Sequence, residues 1–440
     1  MDAYQAYTDF HRRLVRGEDL LPPLPAGTGQ RADPSPARYP RLGIYTGGGS
    51  SHSWLWFVEV LERLGFIDLV FLDEEAIGAE GLEGLDVLAV SGGDTFAMAR
   101  ALGRRGAERL EDFIRSGGLY LGACAGAYLM MRSSKEPLNL FNLVPVRISN
   151  LARELPQALN LLEKFSTPYG CHYVFHPVRE AVLLKAQGRG PFAGAKSFPA
   201  PLYGGPAMLE SRPEQVLARY QDFTERTLFL ADPQVAARTL LGRAAVIREE
   251  LGRGRLYLFG PHFEHPRFPQ ANRLLADAIY WDLDRRPRDA PPEKAEEQRR
   301  PLGGEPARAW LHEVKRWLSN ARVVALALEG HPARWTIGSK VYEPAKFRVF
   351  IEALWPRLRR LERSGELYLA PGETELDKTW RGIAQDLRRL KQGLDRKEDT
   401  QELAAGLFPA LNRACACFLG IYFHTALKGL TREQPQGRLH

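Results

Sequence analysis

The sequence predicts a doubly wound α/β domain with a largely parallel sheet, followed by an all-α helical domain. Three observations carry that prediction. Short apolar runs alternate with helix-like segments from Leu42 to Met131, the pattern of strands joined by crossover helices. Gly-rich turns follow those runs directly, where open α/β sheets place their sites. Beyond Arg300 the apolar residues recur at helical spacing, as in Phe347, Phe350, Ile351, Leu354, Leu358 and Leu361.

In chain order, residues 1–40 read as an arm. Tyr4, Tyr7, Phe10 and Leu14 sit at helical spacing between Ala3 and Arg16, and the Pro-rich stretch Leu20 to Pro40 follows as an extended connector. The α/β domain is expected over 41–284. Leu42-Gly43-Ile44-Tyr45, Leu69-Val70-Phe71-Leu72 and Val87-Leu88-Ala89-Val90 are buried strands. The Gly47-Gly48-Gly49-Ser50-Ser51-His52 turn leads into a helix carrying Trp54, Phe57, Val58 and Leu61. It lacks the Lys-Ser/Thr ending of a phosphate-binding loop, so it reads as a rim loop of the site rather than a nucleotide site. Ala244 to Ile247 and Leu256 to Phe259 form a hairpin through Gly252-Arg253-Gly254, and Pro269 to Asp284 closes the domain as a helix. A charged, Pro-rich linker is expected over 285–305, and helices over 306–440: Ala307 to Leu318, Pro344 to Arg363, Leu376 to Leu394 and Leu403 to Leu427.

The chemistry concentrates at Gly118-Leu119-Tyr120-Leu121-Gly122-Ala123-Cys124-Ala125-Gly126-Ala127-Tyr128. An apolar strand runs into a Gly-x-Cys-x-Gly turn and then into good helix material. That is the elbow geometry known for serine, where a nucleophile sits on strained backbone and needs small neighbours. A helix N-terminus favours the thiolate, the reactive form of cysteine. Downstream, Leu256 to Phe259 ends in Gly260-Pro261 and presents His262 and Glu264. A thiol needs a base, and the base needs a carboxylate to fix its tautomer. The Ser91-Gly92-Gly93-Asp94 turn follows another strand. The amide of Gly92 or Gly93, with that of Ala125, is the expected pair of oxyanion donors. Cys171, His172 and His176 lack the glutamate of a zinc helix, so no metal is expected. Cys415-x-Cys417 would point its thiols to different helix faces.

Taken together, these motifs resemble the class I glutamine amidotransferase-like, flavodoxin-like fold. They resemble in particular the branch named after the amino-terminal domain of biotin–protein ligases. The resemblance runs from about Arg41 to Leu283. It rests on Ile44 to Ser51, Ser91 to Asp94, Gly122 to Tyr128, Phe175-His176-Pro177-Val178-Arg179, Tyr203-Gly204-Gly205-Pro206 and Gly260 to Glu264. It implies a site made of Cys124, His262 and Glu264. Amidotransferases continue Gly-x-Cys-x-Gly-x-Gln, and the glutamine helps hold the substrate; here Tyr128 takes that place as a substrate-side residue, with Asp94 on the neighbouring turn. The expected function is a cysteine-dependent amidotransferase-like hydrolase or acyl-transfer enzyme acting on a small-molecule or peptide-like substrate. The alternative is a binding or regulatory protein on a retired amidotransferase scaffold.

Composition limits the rest. Four cysteines in 440 residues, at 124, 171, 415 and 417, make no disulfide framework. The first residues lack a signal-peptide pattern and no apolar run approaches a membrane span, so a reducing cytoplasm is expected, with no membrane. The net charge is +7, and beyond Arg300 there are 23 Lys and Arg against 16 Asp and Glu, so the surplus lies in the helical part. Scattered arginines on amphipathic helices read as a solvated face. Nucleic acid and cofactors are therefore not expected, and the helical domain is expected to fold apart from the sheet and select substrate or a protein partner.

Overall fold

The computed structural model describes residues 40–151, 174–283 and 299–433, with side chains to residue 428. The expected N-terminal helix and arm, Cys171, His172 and most of the expected linker lie outside these residues.

The chain opens with β1 (Leu42–Tyr45), α1 (Trp54–Arg63), β2 (Leu69–Leu72), α2 (Glu74–Gly78), β3 (Val87–Val90), α3 (Thr95–Arg115), β4 (Leu119–Ala123) and α4 (Ala125–Met130). The strands β5 (Arg147–Ile148), β6 (Val178–Ala186), β7 (Ser197–Leu202), β8 (Met208–Leu209) and β9 (Val216–Phe229) follow. Next come α5 (Pro233–Leu240), β10 (Ala244–Leu251), β11 (Gly254–Phe259) and α6 (Pro269–Leu283).

One sheet orders these strands β2-β1-β3-β4-β11-β10-β9-β6-β7. It is parallel from β2 through β11. From β11 onward every pairing is antiparallel. The first half is the expected doubly wound sheet. Alternate residues on its strands feed opposite cores: Leu119, Leu121 and Ala123 face α1 and α6, while Tyr120 faces α3 and α4. The antiparallel half comes from 178–229, which sequence pattern alone leaves unparsed.

Beyond residue 299 the chain is helical, as expected, with two short ribbons added. It runs β12 (Arg300–Gly303), α7 (Gly304–Leu328), β13 (Trp335–Ile337), β14 (Lys340–Tyr342), α8 (Ala345–Ser364), β15 (Glu366–Leu369), α9 (Leu376–Asp395) and α10 (Gln401–Glu433). β12 pairs with β15, so the described end of the expected linker is regular structure. α10 is long and apolar enough to cross a membrane by length and composition, unlike anything read from the sequence. Here it packs against α8, α9 and the β2 edge, and Leu411, Phe418 and Leu419 are buried.

The helical part does not stand apart. Leu318, Phe350 and Leu411 belong to the same apolar core as Leu42, Trp54 and Leu121. Polar contacts seal the joint. The Trp54 indole donates to Asn412 Oδ1 at 2.8 Å, and Asn412 Nδ2 donates to the Ser50 carbonyl at 3.2 Å. Arg357 on α8 is 1% exposed, and its guanidinium reaches Glu59 at 2.8 Å and Glu62 at 3.0 Å, both on α1. Arg360 and the Tyr422 hydroxyl each lie 2.6 Å from Glu62 Oε1. Burial works against the charge on Glu62, but Arg357 and Arg360 hold its carboxyl below the usual range.

Candidate active site

Cys124 sits between β4 and α4 with φ 51° and ψ −106°, a left-handed backbone that side chains with a β-carbon rarely adopt. Its neighbours hold it there. The Cys124 amide donates to the Phe259 carbonyl at the end of β11 at 3.0 Å, and the Tyr128 amide donates to the Cys124 carbonyl at 3.0 Å. The small residues predicted around Cys124 are obligatory. A β-carbon at Gly122 would come within 2.6 Å of the Gly126 carbonyl oxygen, and one at Gly126 would collide with the Val90 carbonyl. Gly126→Ala is therefore expected to destabilise the fold by about 1–3 kcal/mol, because a packed backbone has to move. A melting temperature equal to that of the parent protein would contradict this.

His262 and Glu264 follow β11 and come together. His262 Nδ1 lies 2.7 Å from Glu264 Oε1, and the pair is 3% and 0% exposed. Asn272 on α6 fastens the loop, donating to the Phe263 carbonyl at 2.6 Å and the His265 carbonyl at 3.0 Å. Trp56 packs edge-on against the His262 ring, 5.2 Å between centroids. The same Glu264 oxygen accepts from the Ser91 hydroxyl at 2.8 Å. Ser91 stands in the recognised Ser-Gly-Gly-Asp motif, but a serine before a Gly-Gly turn gives no sign of which distant carboxylate it will meet.

The Cys124 Sγ donates to the Tyr203 carbonyl at 3.8 Å, and His262 lies near enough that its charge acts on the sulfur. Burial alone would push the thiol up; the neighbouring imidazole more than offsets it, and the Cys124 pKa falls below its ordinary value. Burial alone would lower His262; Glu264 and Cys124 reverse that and raise it to about 10. The two groups thus shift in the directions that favour a charged sulfur and a charged imidazole.

The remaining predicted residues divide. Gly92 and Gly93 line the Cys124 cavity. Neither the Gly93 nor the Ala125 amide donates to another group among the described residues. Asp94 is otherwise engaged: its Oδ1 caps α3 by accepting from the Ala97 amide at 3.1 Å, and its Oδ2 accepts from the Ser339 amide at 2.7 Å. Tyr128 is buried on α4, its hydroxyl 3.4 Å from Asn150 Nδ2, and does not line the cavity. The cavity itself is about 450 Å³, walled by Trp56, Tyr203, Leu228 and Leu230 from the sheet domain. It is closed on the other side by Lys340, Val341 and Tyr342 of β14, with Glu343 and Lys346 beyond. That wall is the part of the site the sequence does not disclose.

Comparison with known proteins bears on the first half of the sheet. Residues 44–135 match the family described as biotin–protein ligase, N terminal. The pyridoxal 5'-phosphate synthase subunit PdxT from Hyperthermus butylicus is 32% identical over 84 residues, 19% of this chain and 40% of that protein. The chain thus spans less than half the length of the curated relative it matches. Among solved structures, a GMP synthase component from Thermoplasma acidophilum aligns at TM-score 0.35 and 14% identity, over 56% of this chain and 95% of that one. A β-galactosidase from Bacillus circulans aligns at TM-score 0.30 and 13% identity, over 54% and 31% of the two chains.

Proposed function

We propose that, on its class I glutamine amidotransferase-like scaffold, this chain runs cysteine-dependent acyl transfer or hydrolysis with Cys124, His262 and Glu264 as a triad. The observation that carries the reading is the strained Cys124 held against a His262 that Glu264 orients at 2.7 Å. The Cys124 thiolate attacks a substrate carbonyl, and the C=O electron pair moves onto oxygen. In this reading the amides of Gly93 and Ala125 take that charge. The tetrahedral adduct collapses to a thioester as the bond to the leaving amine or alkoxide breaks, and His262 supplies its Nε2 proton to the leaving group. Water then attacks the thioester, with His262 taking its proton, and the acid and the thiolate are released. The Glu264 carboxylate keeps Nδ1 protonated and Nε2 toward sulfur; Ser91 positions that carboxylate. A free nucleophilic thiol suits a reducing, cytoplasmic setting.

Thiol titration tests this directly. Cys124 is expected to react with iodoacetamide below pH 7, its rate falling only as pH drops through the lowered thiol pKa. Burial pushes Cys415 up and Cys417 up to about 12, so both stay unlabelled in the native protein. Peptide mass spectrometry would read the site. A native Cys124 that labels only above pH 9, or only after unfolding, would overturn the acyl-transfer reading. It would favour the second one, a binding protein on a retired scaffold, to which the buried, Asn150-bonded Tyr128 lends support.

A further inference from the structure

We propose that the compound acted on at Cys124 carries an anionic group, a carboxylate or a phosphate, which seats against Lys340 of the helical part. The inference rests on the acyl-transfer reading and adds the substrate class to it. Lys340 opens β14, in the hairpin laid over the cavity mouth. Asp94 clips that hairpin in place through the Ser339 amide, directly after the Gly92-Gly93 turn. The placement of Lys340 is thereby tied to the turn that would hold the oxyanion.

The charges at the cavity are Arg179, Lys340 and Lys346 against Glu180 and Glu343. Both carboxylates are occupied. Glu180 accepts from the Tyr203 hydroxyl at 3.0 Å, and Glu343 lies 3.3 Å from Arg334. The Lys340 ammonium makes no ion pair and no hydrogen bond among the described residues. Its charge is nonetheless felt at the reacting sulfur, where it helps to lower the thiol, and at Asp94. A cation facing a small low-dielectric cavity raises the local concentration of anions. An ammonium suits this task as a point charge that a carboxylate or phosphate approaches from many directions.

A second group in the same cavity wants a polar ligand. Both ring nitrogens of His52 are buried without a hydrogen-bond partner. Burial, first, and the charge of Lys346 keep this imidazole neutral, its pKa well below the ordinary value. A neutral imidazole offers one donor and one acceptor. Buried polar atoms in native proteins are almost always paired, so an unpaired imidazole in the wall of a cavity points to a ligand atom there. Leu228, Leu230 and Trp56 supply apolar wall between these groups.

The test compares two alkylating probes, iodoacetate and iodoacetamide. Both form the same S–CH₂ bond and expel iodide; one carries a carboxylate where the other carries a carboxamide. The ratio of their rates at Cys124 cancels any change in the thiolate fraction. The same chain unfolded in urea gives the reference ratio. In the native protein the iodoacetate-to-iodoacetamide ratio is expected to exceed the reference by roughly tenfold, the scale of one partly screened charge pair. Added salt should shrink the excess. Lys340→Met should lower the ratio toward the reference, Lys340→Glu should lower it further, and Lys340→Arg should keep it high. A native ratio at or below the reference overturns the proposal without any variant. So does a Lys340→Met protein that labels with both probes at the parent ratio. Failure of either probe to label native Cys124 is a different result: it removes the acyl-transfer reading itself.

Discussion

Replacing Cys124 by alanine, or His262 by asparagine, is expected to abolish acyl transfer. Each change should lower the rate by on the order of 10⁴-fold or more, as removal of a triad member does. The two losses arise differently. Cys124→Ala deletes the sulfur that forms the bond. His262→Asn leaves the sulfur but removes the imidazole that does most to hold its pKa down, and burial, the largest influence on the thiol, then pushes it up against the charge of Lys340 alone. The leaving group also loses its proton donor. Because the residues act as a unit, the double variant should be scarcely slower than either single one. An activated acyl ester such as p-nitrophenyl acetate makes this measurable: the parent should show a stoichiometric burst of p-nitrophenol, and both variants none. A Cys124→Ala protein that keeps the burst would remove Cys124 from the chemistry. The pH profile adds a signed check. On an amide substrate, whose leaving amine needs a proton, acylation should rise through the lowered thiol pKa and decline toward about 10, where His262 loses that proton.

Arg357→Met is expected to destabilise the whole chain by about 3–5 kcal/mol, the cost of leaving a buried carboxylate without its cation. Arg357 is 1% exposed and holds Glu59 and Glu62 across the joint between α8 and α1. Methionine fills similar volume, so the loss reports charge rather than a cavity. Arg360 and Tyr422 still contact Glu62, which keeps the effect short of unfolding. Pairing the change with Glu62→Met should recover part of the loss, since a buried pair replaced by apolar groups is often near neutral. Urea unfolding followed by circular dichroism would read both. The transition should be single, because one apolar core runs through both parts. A loss below about 1 kcal/mol, the scale of an exposed pair, would mean that the joint is solvated. Two separate transitions would restore the independent helical domain expected from the sequence.

The sheet and the elbow were legible because their determinants are local. An apolar strand, small residues and a nucleophile stand within a dozen positions, and Gly122 and Gly126 are small because carbonyls press on them. The hairpin of β10 and β11 was legible for the same reason, its turn being Gly252-Arg253-Gly254. The His262–Glu264 pair needed only one strand end. What stayed hidden depends on residues far apart in sequence. Ser91 meets Glu264 across 173 positions. The helical part read as a separate bundle because amphipathic spacing reveals that a helix has a buried face, not which surface covers it. Arg357 looked like one more solvated arginine, since charge on a helix carries no label for its partner 295 residues away. The β13–β14 ribbon is three residues a side, below what pattern reading resolves, yet it brings Lys340 to the cavity. The sequence points Asp94 toward substrate, whereas in the fold it fastens that ribbon, because a carboxylate after a Gly-Gly turn serves either purpose.

The hydrogen bond from the Cys124 amide to the Phe259 carbonyl joins β4 to β11 at the point where both candidate side chains depart. Three residues later on the same strand exit stands His262. Sulfur and imidazole are thus suspended from one rung of a parallel ladder, and their separation is inherited from strand spacing rather than from loop length. The wall opposite them is supplied by chain more than 70 positions further on, and no bond in that ladder depends on it. Such a division lets the wall of the pocket change, residue by residue along the ribbon, while the spacing of Cys124 and His262 stays fixed by the sheet.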